Sequence, residues 1–427
     1  MKRILIVVGI LFTGFQLEAQ IIDAREVTRQ KAQDRTNSKA DQTIDKGLDK
    51  LEEGLSSVFK KKEKKGKQAK KSPDAKGAYD AAKTPTDARG NTDYSAYKNF
   101  GFTPAPDLLF YDDFSDGSIK RWGAYDQADL ALATIDGQPW LEVKGGSFYP
   151  IDLKALSANF TLEFDVYTPN DVAGTLEVRF LDHSQAGALA DPYLDNSSLV
   201  HISPVSQWPK TGLGGYAVKR NNEQVSPDNE FKFFSWLPQA GLYKARISMK
   251  RSGRQLSVWI NKEPVMENTD FFISANPYVL SFLLQNYFVQ ETRMFFSNFR
   301  LATGAENPRS IAQGKPFVTH NIFFDVNSDV IRPNSYAVLK EVAQTLSGLK
   351  KPVQIIGHTD SDGNDANNLT LSQKRAASVK RALVNEFGLP ENLLSSSGKG
   401  ESQPLNKNAT PAQKAQNRRV EFRLQDQ

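Results

Sequence analysis

The chain contains no cysteine. An exported protein without cysteine has no disulfides, so its domains must be held by their cores alone. The same absence leaves no cysteine to carry a lipid anchor after the amino-terminal segment, so any attachment to an envelope surface is expected to be noncovalent. Histidine is almost as scarce: four residues, His183, His201, His320 and His358, stand apart from one another. None has the H-E-x-x-H or related spacing that builds a zinc site. With no G-x-S-x-G motif either, nucleophilic catalysis has no candidate. Asp325 to Asp329 opens like a calcium loop but has Val330 where the glycine belongs and Tyr336 where the bidentate glutamate belongs. No cofactor is expected. Beyond the amino terminus no apolar run approaches the roughly 20 residues of a bilayer span.

Excess charge of one sign is also small, at +5 net. It is concentrated in Lys60–Lys71, KKKEKKGKQAKK, a run that reads as a solvated tract. Elsewhere acids and bases interleave, which argues against a nucleic-acid partner. Met1-Lys2-Arg3 followed by the apolar stretch Ile4 to Phe15 and the small residue Ala19 reads as a secretory signal peptide over residues 1–19. Residues 20–100 read as a low-complexity basic arm. Within it, Ile44, Leu48, Leu51, Leu55 and Val58 form a short heptad seam, so residues 41–60 are a candidate coiled coil and a route to homo-oligomers. A lone amphipathic helix, marginal in water at that length, is the plainer alternative.

From 106 to 302 the texture changes to short strands. Thr161 to Tyr167, Leu176 to Phe180, Tyr243 to Met249 and Leu256 to Ile260 alternate apolar and polar residues, as strands with one buried face do. Asp136-Gly137, Gly145-Gly146 and Ser252-Gly253 punctuate them as turns. The expectation is an all-β jelly-roll sandwich. Asp112-Asp113-Phe114 with Trp122, Leu256 to Val265 and the closing Met294 to Leu301 resemble the concanavalin-like (laminin-G-like) jelly rolls. Some glycosidases of that fold carry an E-x-D-x-x-E strand, and Glu163 and Asp165 match its start. Thr168 replaces the third acid. Hydrolysis needs two acids across the scissile bond, so these two are expected to be the exposed face of a strand. Trp208, Trp236 and Tyr216 are expected in the core or at its rim rather than stacked on sugar.

Residues 303–314 read as a linker, and residues 315–427 alternate strand and helix. Phe317 to Asp325, Val353 to Gly357 and Arg419 to Leu424 are strands; Ser335 to Leu349 and Leu371 to Phe387 are helices, the second stopped by Gly388. This order gives an α/β (βαβαβ) layer. Phe323-Phe324-Asp325 with Ile331, Gly357 to Gly363, Asn368 to Ala376, Val379, Leu383 and Asn417 to Val420 resemble the OmpA-like C-terminal domain family, which binds peptidoglycan noncovalently. The resemblance implies that Asp360 and Arg375 are the paired charges that hold the diaminopimelate of the stem peptide. That group offers an ammonium and a carboxylate close together; an aspartate accepts from the first and a planar guanidinium holds the second. The start of the following helix would add free N–H groups for the carboxylate. Thr359 is a further hydrogen-bonder, and Asn368, Leu371 and Ser372 line or shape the pocket, with core packing for Leu371 and helix capping for Ser372 as the plainer readings. On the closing strand alternate residues face opposite sides, which favours Arg418 over Arg419. His358 is expected to be structural.

The chain as a whole reads as a non-enzymatic, multidomain envelope protein of the Gram-negative periplasm, held at the cell wall and open to outer-membrane association. The partner of the sandwich stays open between another envelope protein and a glycan. The rival readings are a wall-anchored glycan-active enzyme and a scaffold for outer-membrane proteins.

Overall fold

The computed structural model describes residues 92–425 except 126–127, 154, 170–173, 183–196, 205–210, 221–222, 227–228, 274–276, 286–291, 306 and 350. The signal segment, the heptad seam at 41–60, the lysine run and Trp208 lie outside the described residues.

Alternating sequence produces two antiparallel sheets. The first has the order β14 (Glu263–Asn268), β13 (Gln255–Ile260), β12 (Lys244–Ser252), β6 (Asn159–Tyr167), β16 (Met294–Thr303), β4 (Gln138–Lys144) and β3 (Asp129–Ile135); β1 (Asp107–Asp112) also pairs with β16. The second runs β10 (Glu223–Gln224), β9 (Gly212–Arg220), β8 (Ser197–Ser203), β7 (Thr175–Asp182), β15 (Tyr278–Gln285), β5 (Gly146–Pro150) and β2 (Trp122–Tyr125), with β11 (Asn229–Phe233) on β9. Their inward residues form one core. Phe164 of β6 meets Phe282 of β15 edge-on at 5.6 Å, and Phe296 of β16 lies 5.1 Å from Phe148 of β5. Fully burying side chains of this size contributes about 1.5–3 kcal/mol each. Trp236 is fully buried in the same core, and Tyr216 packs at its edge.

The outward face of β6 departs from expectation. Thr161 and Glu163 are buried, at 3% and 2% exposure. The segment Phe102–Ala105 lies over them: Thr161 Oγ1 accepts from Ala105 N at 2.9 Å, and Phe102 packs on Trp259 of β13 at 5.3 Å. Alternation on a strand identifies two faces but does not reveal a cover supplied by distant chain.

The carboxy-terminal region carries more elements than βαβαβ. Its sheet has the order β17 (Phe317–Thr319), β20 (Val420–Leu424), β18 (Val353–Gly357), β19 (Leu394–Gly398), with β18 and β19 parallel and the other pairs antiparallel. Helices α1 (Tyr336–Ser347) and α2 (Asp365–Asn385) and the short α3 (Pro411–Asn417) intervene. Strand β19, Leu-Ser-Ser-Ser-Gly, and α3 have neither alternation nor an apolar stripe, so the sequence pattern misses both. The first strand ends at Thr319; beyond it, Phe324 makes only an isolated bridge to Ile331. Val338, Leu339, Val342 and Leu346 of α1 and Ala376, Val379 and Leu383 of α2 close on Ile355 and Phe422 of the sheet.

Helix α2 begins six residues before the expected Leu371. Asn364 caps it, accepting from Ala366 N at 2.8 Å and Asn367 N at 3.3 Å. Its first turns, Asp-Ala-Asn-Asn-Leu-Thr, are polar and show no apolar period. The stretch 303–314 is more than a linker, because Pro308–Gln313 forms a 3₁₀ turn whose Ile311 is fully buried in the carboxy-terminal core. The end of the expected arm is likewise packed: Tyr94 is 4% exposed in that core, 5.6 Å from Tyr336. Among the described residues no helix is long and apolar enough to cross a membrane.

Candidate functional site

The charged residues singled out in the sequence collect at the carboxyl end of β18. The chain leaves that strand through His358, Thr359 and Asp360, all buried. Asp360 Oδ2 accepts from Arg418 at 2.6 Å, and Oδ1 accepts from Asp362 N at 3.2 Å. Arg418 follows α3, just before β20. Burial alone would lower its pKa, but the Asp360 and Asp113 carboxylates help to outweigh burial and raise it. Arg419, also ahead of β20, faces elsewhere: its Nε donates to Glu421 at 3.0 Å and an Nη to the Gln403 carbonyl at 2.9 Å. Glu421 is drawn down to about 2. Burial opposes this, but contacts with His358, Arg419 and Arg423 prevail. His358 Nε2 lies 3.2 Å from the Glu421 carboxylate, a structural position under the sheet end.

Arg375 projects from the interior of α2, not from its start. Its Nε donates to the Ser328 carbonyl at 2.9 Å, and its guanidinium lies 4.9 Å from the centre of the Phe324 ring. Burial pushes its pKa down to about 10; Arg418 adds to the depression, while Asp360 and Asp329 oppose it. It therefore stays charged at neutral pH, within electrostatic reach of both Asp360 and Arg418. Ten residues into the helix, Arg375 is about 15 Å from its amino terminus at 1.5 Å per residue. At that terminus Ala366 N and Asn367 N are already taken up by the Asn364 side chain.

The remaining residues brace the loops around this cluster. Asn368 donates to the Asp360 and Asp362 carbonyls at 3.3 and 3.1 Å, and also to Glu401. Ser372 is no cap. It sits in the helix interior, where its hydroxyl accepts from Gly400 N at 2.8 Å. Thr359 N donates to the Gly400 carbonyl at 3.0 Å, while its buried hydroxyl has no partner among the described residues. Leu371 is half-buried on α2. Sequence reasoning passed over Gly398 and Gly400, which let the loop after β19 lie against α2. A Cβ on Gly398 would fall 2.3 Å from both Gln373 N and Ser372 Oγ. Gly398→Ala is expected to cost about 1–3 kcal/mol, read as a lower unfolding midpoint. The G-x-G spacing was the available signal.

The site adjoins the two-sheet region, which belongs to the same compact unit. Arg300 of β16 donates to Asn321 Oδ1 at 2.7 Å, and Asn321 donates to the Pro104 carbonyl at 3.0 Å. Beside them His320 has a buried Nδ1 with no partner among the described residues. Burial, with Arg300 and Arg419 nearby, pushes its pKa from 6.5 down to about 4. A histidine depressed on folding takes up its proton first in the unfolded chain. Its contribution is complete above pH 6.5 and is lost as pH falls toward 4, by up to about 3 kcal/mol. In chemical denaturation, His320→Gln is expected to lose less stability than the parent between pH 7 and pH 4.5.

Among the described residues no group of acids and histidines is placed to hold a metal ion. Glu163 and Asp165 are both paired. Arg246 reaches Glu163 at 3.0 Å and Asp165 at 2.8 Å, and Arg300 reaches Glu163 at 3.4 Å.

Comparison with known proteins matches the profile of the OmpA family to residues 323–418. The chain is 42% identical over 108 residues to outer membrane porin F of Pseudomonas fluorescens, covering 25% of this chain and 33% of that protein. It is 36% identical over 120 residues to outer membrane protein A of Bordetella avium, covering 28% of this chain and 61% of that one. The chain therefore spans less than two thirds of these curated relatives. Among solved structures, the peptidoglycan-associated lipoprotein from Burkholderia pseudomallei shares 33% identity, with 24% of this chain and 88% of that one covered and a TM-score of 0.23. Residues 323–418, with the charged cluster at the end of β18, are a domain of the OmpA family.

Proposed function

We propose that this protein binds peptidoglycan without cleaving it, through the diaminopimelate end of the stem peptide, and so tethers its two-sheet region to the cell wall. The observation that carries the reading is the cluster of one carboxylate and two guanidiniums at the carboxyl end of β18, inside an OmpA-family domain. Asp360 takes the ligand ammonium and Arg375 its carboxylate; Arg418, already on Asp360, is displaced or shared. The unpartnered Thr359 hydroxyl adds a donor or acceptor. Asn368 and Ser372 hold the loops rather than touch the ligand. Relatives named as outer membrane proteins and as a peptidoglycan-associated lipoprotein support a place in the Gram-negative envelope, periplasmic and close to the outer membrane.

The two-sheet region serves in this reading as a concanavalin-like interaction module for an envelope protein or glycan, not as an enzyme. Glu163 is enclosed between two arginines, whereas a glycosidase acid must be free to exchange a proton with substrate. The experiment is a calorimetric titration of the full chain with a stem peptide carrying diaminopimelate and with its lysine counterpart, which lacks the second carboxylate. Preference for the diaminopimelate peptide is expected. Equal binding of the two, or none, would reject the reading.

A further inference from the structure

One side chain of the wall-binding cluster also belongs to the two-sheet region. Arginine forks usually engage a carboxylate with both arms. Arg418 places only one arm on Asp360, at 2.6 Å. The other is turned toward the end of β1, 3.4 Å from Tyr111 Oη and 3.8 Å from Asp113 Oδ2. These two residues form a fixed post. The Tyr111 hydroxyl donates to Asp113 at 3.3 Å, and the Tyr111 carbonyl accepts from Arg121 at 2.8 Å. Burial and the Asp113 charge push the Tyr111 hydroxyl up to about 12, so it remains a neutral phenol. Both residues lie outside residues 323–418, and nothing in their sequence context marks them as part of a site.

We infer that Tyr111 and Asp113 are positioning residues for the stem-peptide site. They hold the second arm of Arg418 away from Asp360 and keep one edge of that carboxylate open to the ligand ammonium. The inference rests on the site reading above. Once released, the arm closes on Asp360 alongside the first. An incoming ammonium then competes with a two-armed guanidinium rather than a one-armed one. The wall grip would thereby depend on how the two-sheet region sits against it, and by linkage ligand binding would favour that same docking.

The test uses the full chain and a stem peptide with a free diaminopimelate amine. Asp113→Asn and Tyr111→Phe are each expected to weaken binding roughly 3- to 10-fold, an effect the size of one reoriented partly exposed charge contact. In an Arg418→Lys background, which has no fork to reorient, the same substitutions are expected to have no further effect. Parental affinity in both single variants, or equal weakening in the Arg418→Lys background, would overturn the inference. Asp360→Asn separates the two levels. If it abolishes binding while Asp113 and Tyr111 are indifferent, only the positioning role falls. If it binds as the parent does, the site reading fails and takes this inference with it.

Discussion

Asp360→Ala is expected to weaken binding of the diaminopimelate stem peptide by about 2–5 kcal/mol, or roughly 30-fold to several thousand-fold. Asp360 is 8% exposed, so its carboxylate meets a ligand cation with little competing water. Its removal costs more than one ion pair, because the ligand ammonium would then face Arg375 and Arg418 with no anion between them. Arg375→Ala is expected to cost a comparable amount from the other side of the ligand, and Arg375→Lys should recover only part. A lysine replaces the charge but not the fork that can donate to the Ser328 carbonyl while holding a carboxylate. Isothermal titration of the three variants measures both effects. Binding by Asp360→Ala within threefold of the parent would refute the role assigned to it.

The charges of this site were legible in the sequence, and their setting was not. The resemblance to the OmpA-like family singled out Asp360, Arg375 and Arg418, and the structure puts Arg418 on Asp360 while Arg419 turns to Glu421. Helix α2 was placed too late because an apolar period begins only at Leu371, whereas its true start is set by the Asn364 side-chain cap. That shift puts Arg375 in the helix interior and leaves Ala366 N and Asn367 N at the true start donating to the Asn364 side chain. Strand β19 escaped notice because a serine-rich strand shows no alternation; its partner β18 specifies it through parallel pairing. Tyr111 gave no signal, and Asp113 stood out only as part of the Asp112-Asp113-Phe114 motif of the two-sheet region. Their proximity to Arg418 arises from packing between regions, which no local pattern encodes.

The same limit explains Glu163, and Glu163→Ala is expected to destabilise the protein by about 3–5 kcal/mol. Its side chain is 2% exposed and receives Arg246 and Arg300, the second itself 4% exposed. Truncation leaves both guanidiniums in place. Arg246 keeps Asp165, and Arg300 keeps the Ala105 and Asn321 oxygens, but each loses the anion that balanced its desolvation. Because Arg300 reaches Asn321, the loss is expected to loosen the junction as well as the sheet. Chemical denaturation of the full chain measures it. A paired replacement, Glu163→Leu with Arg300→Met, should recover much of the loss, since a buried ion pair exchanged for apolar packing is often near neutral. Arg246→Leu with the same Glu163→Leu should recover less, because it takes the guanidinium from Asp165 and leaves it only the Asn298 amide. A loss below 1 kcal/mol in Glu163→Ala would mean that the carboxylate is not the anchor of this network. Free of that structural duty, it would again be a candidate acid for a glycan-active sandwich.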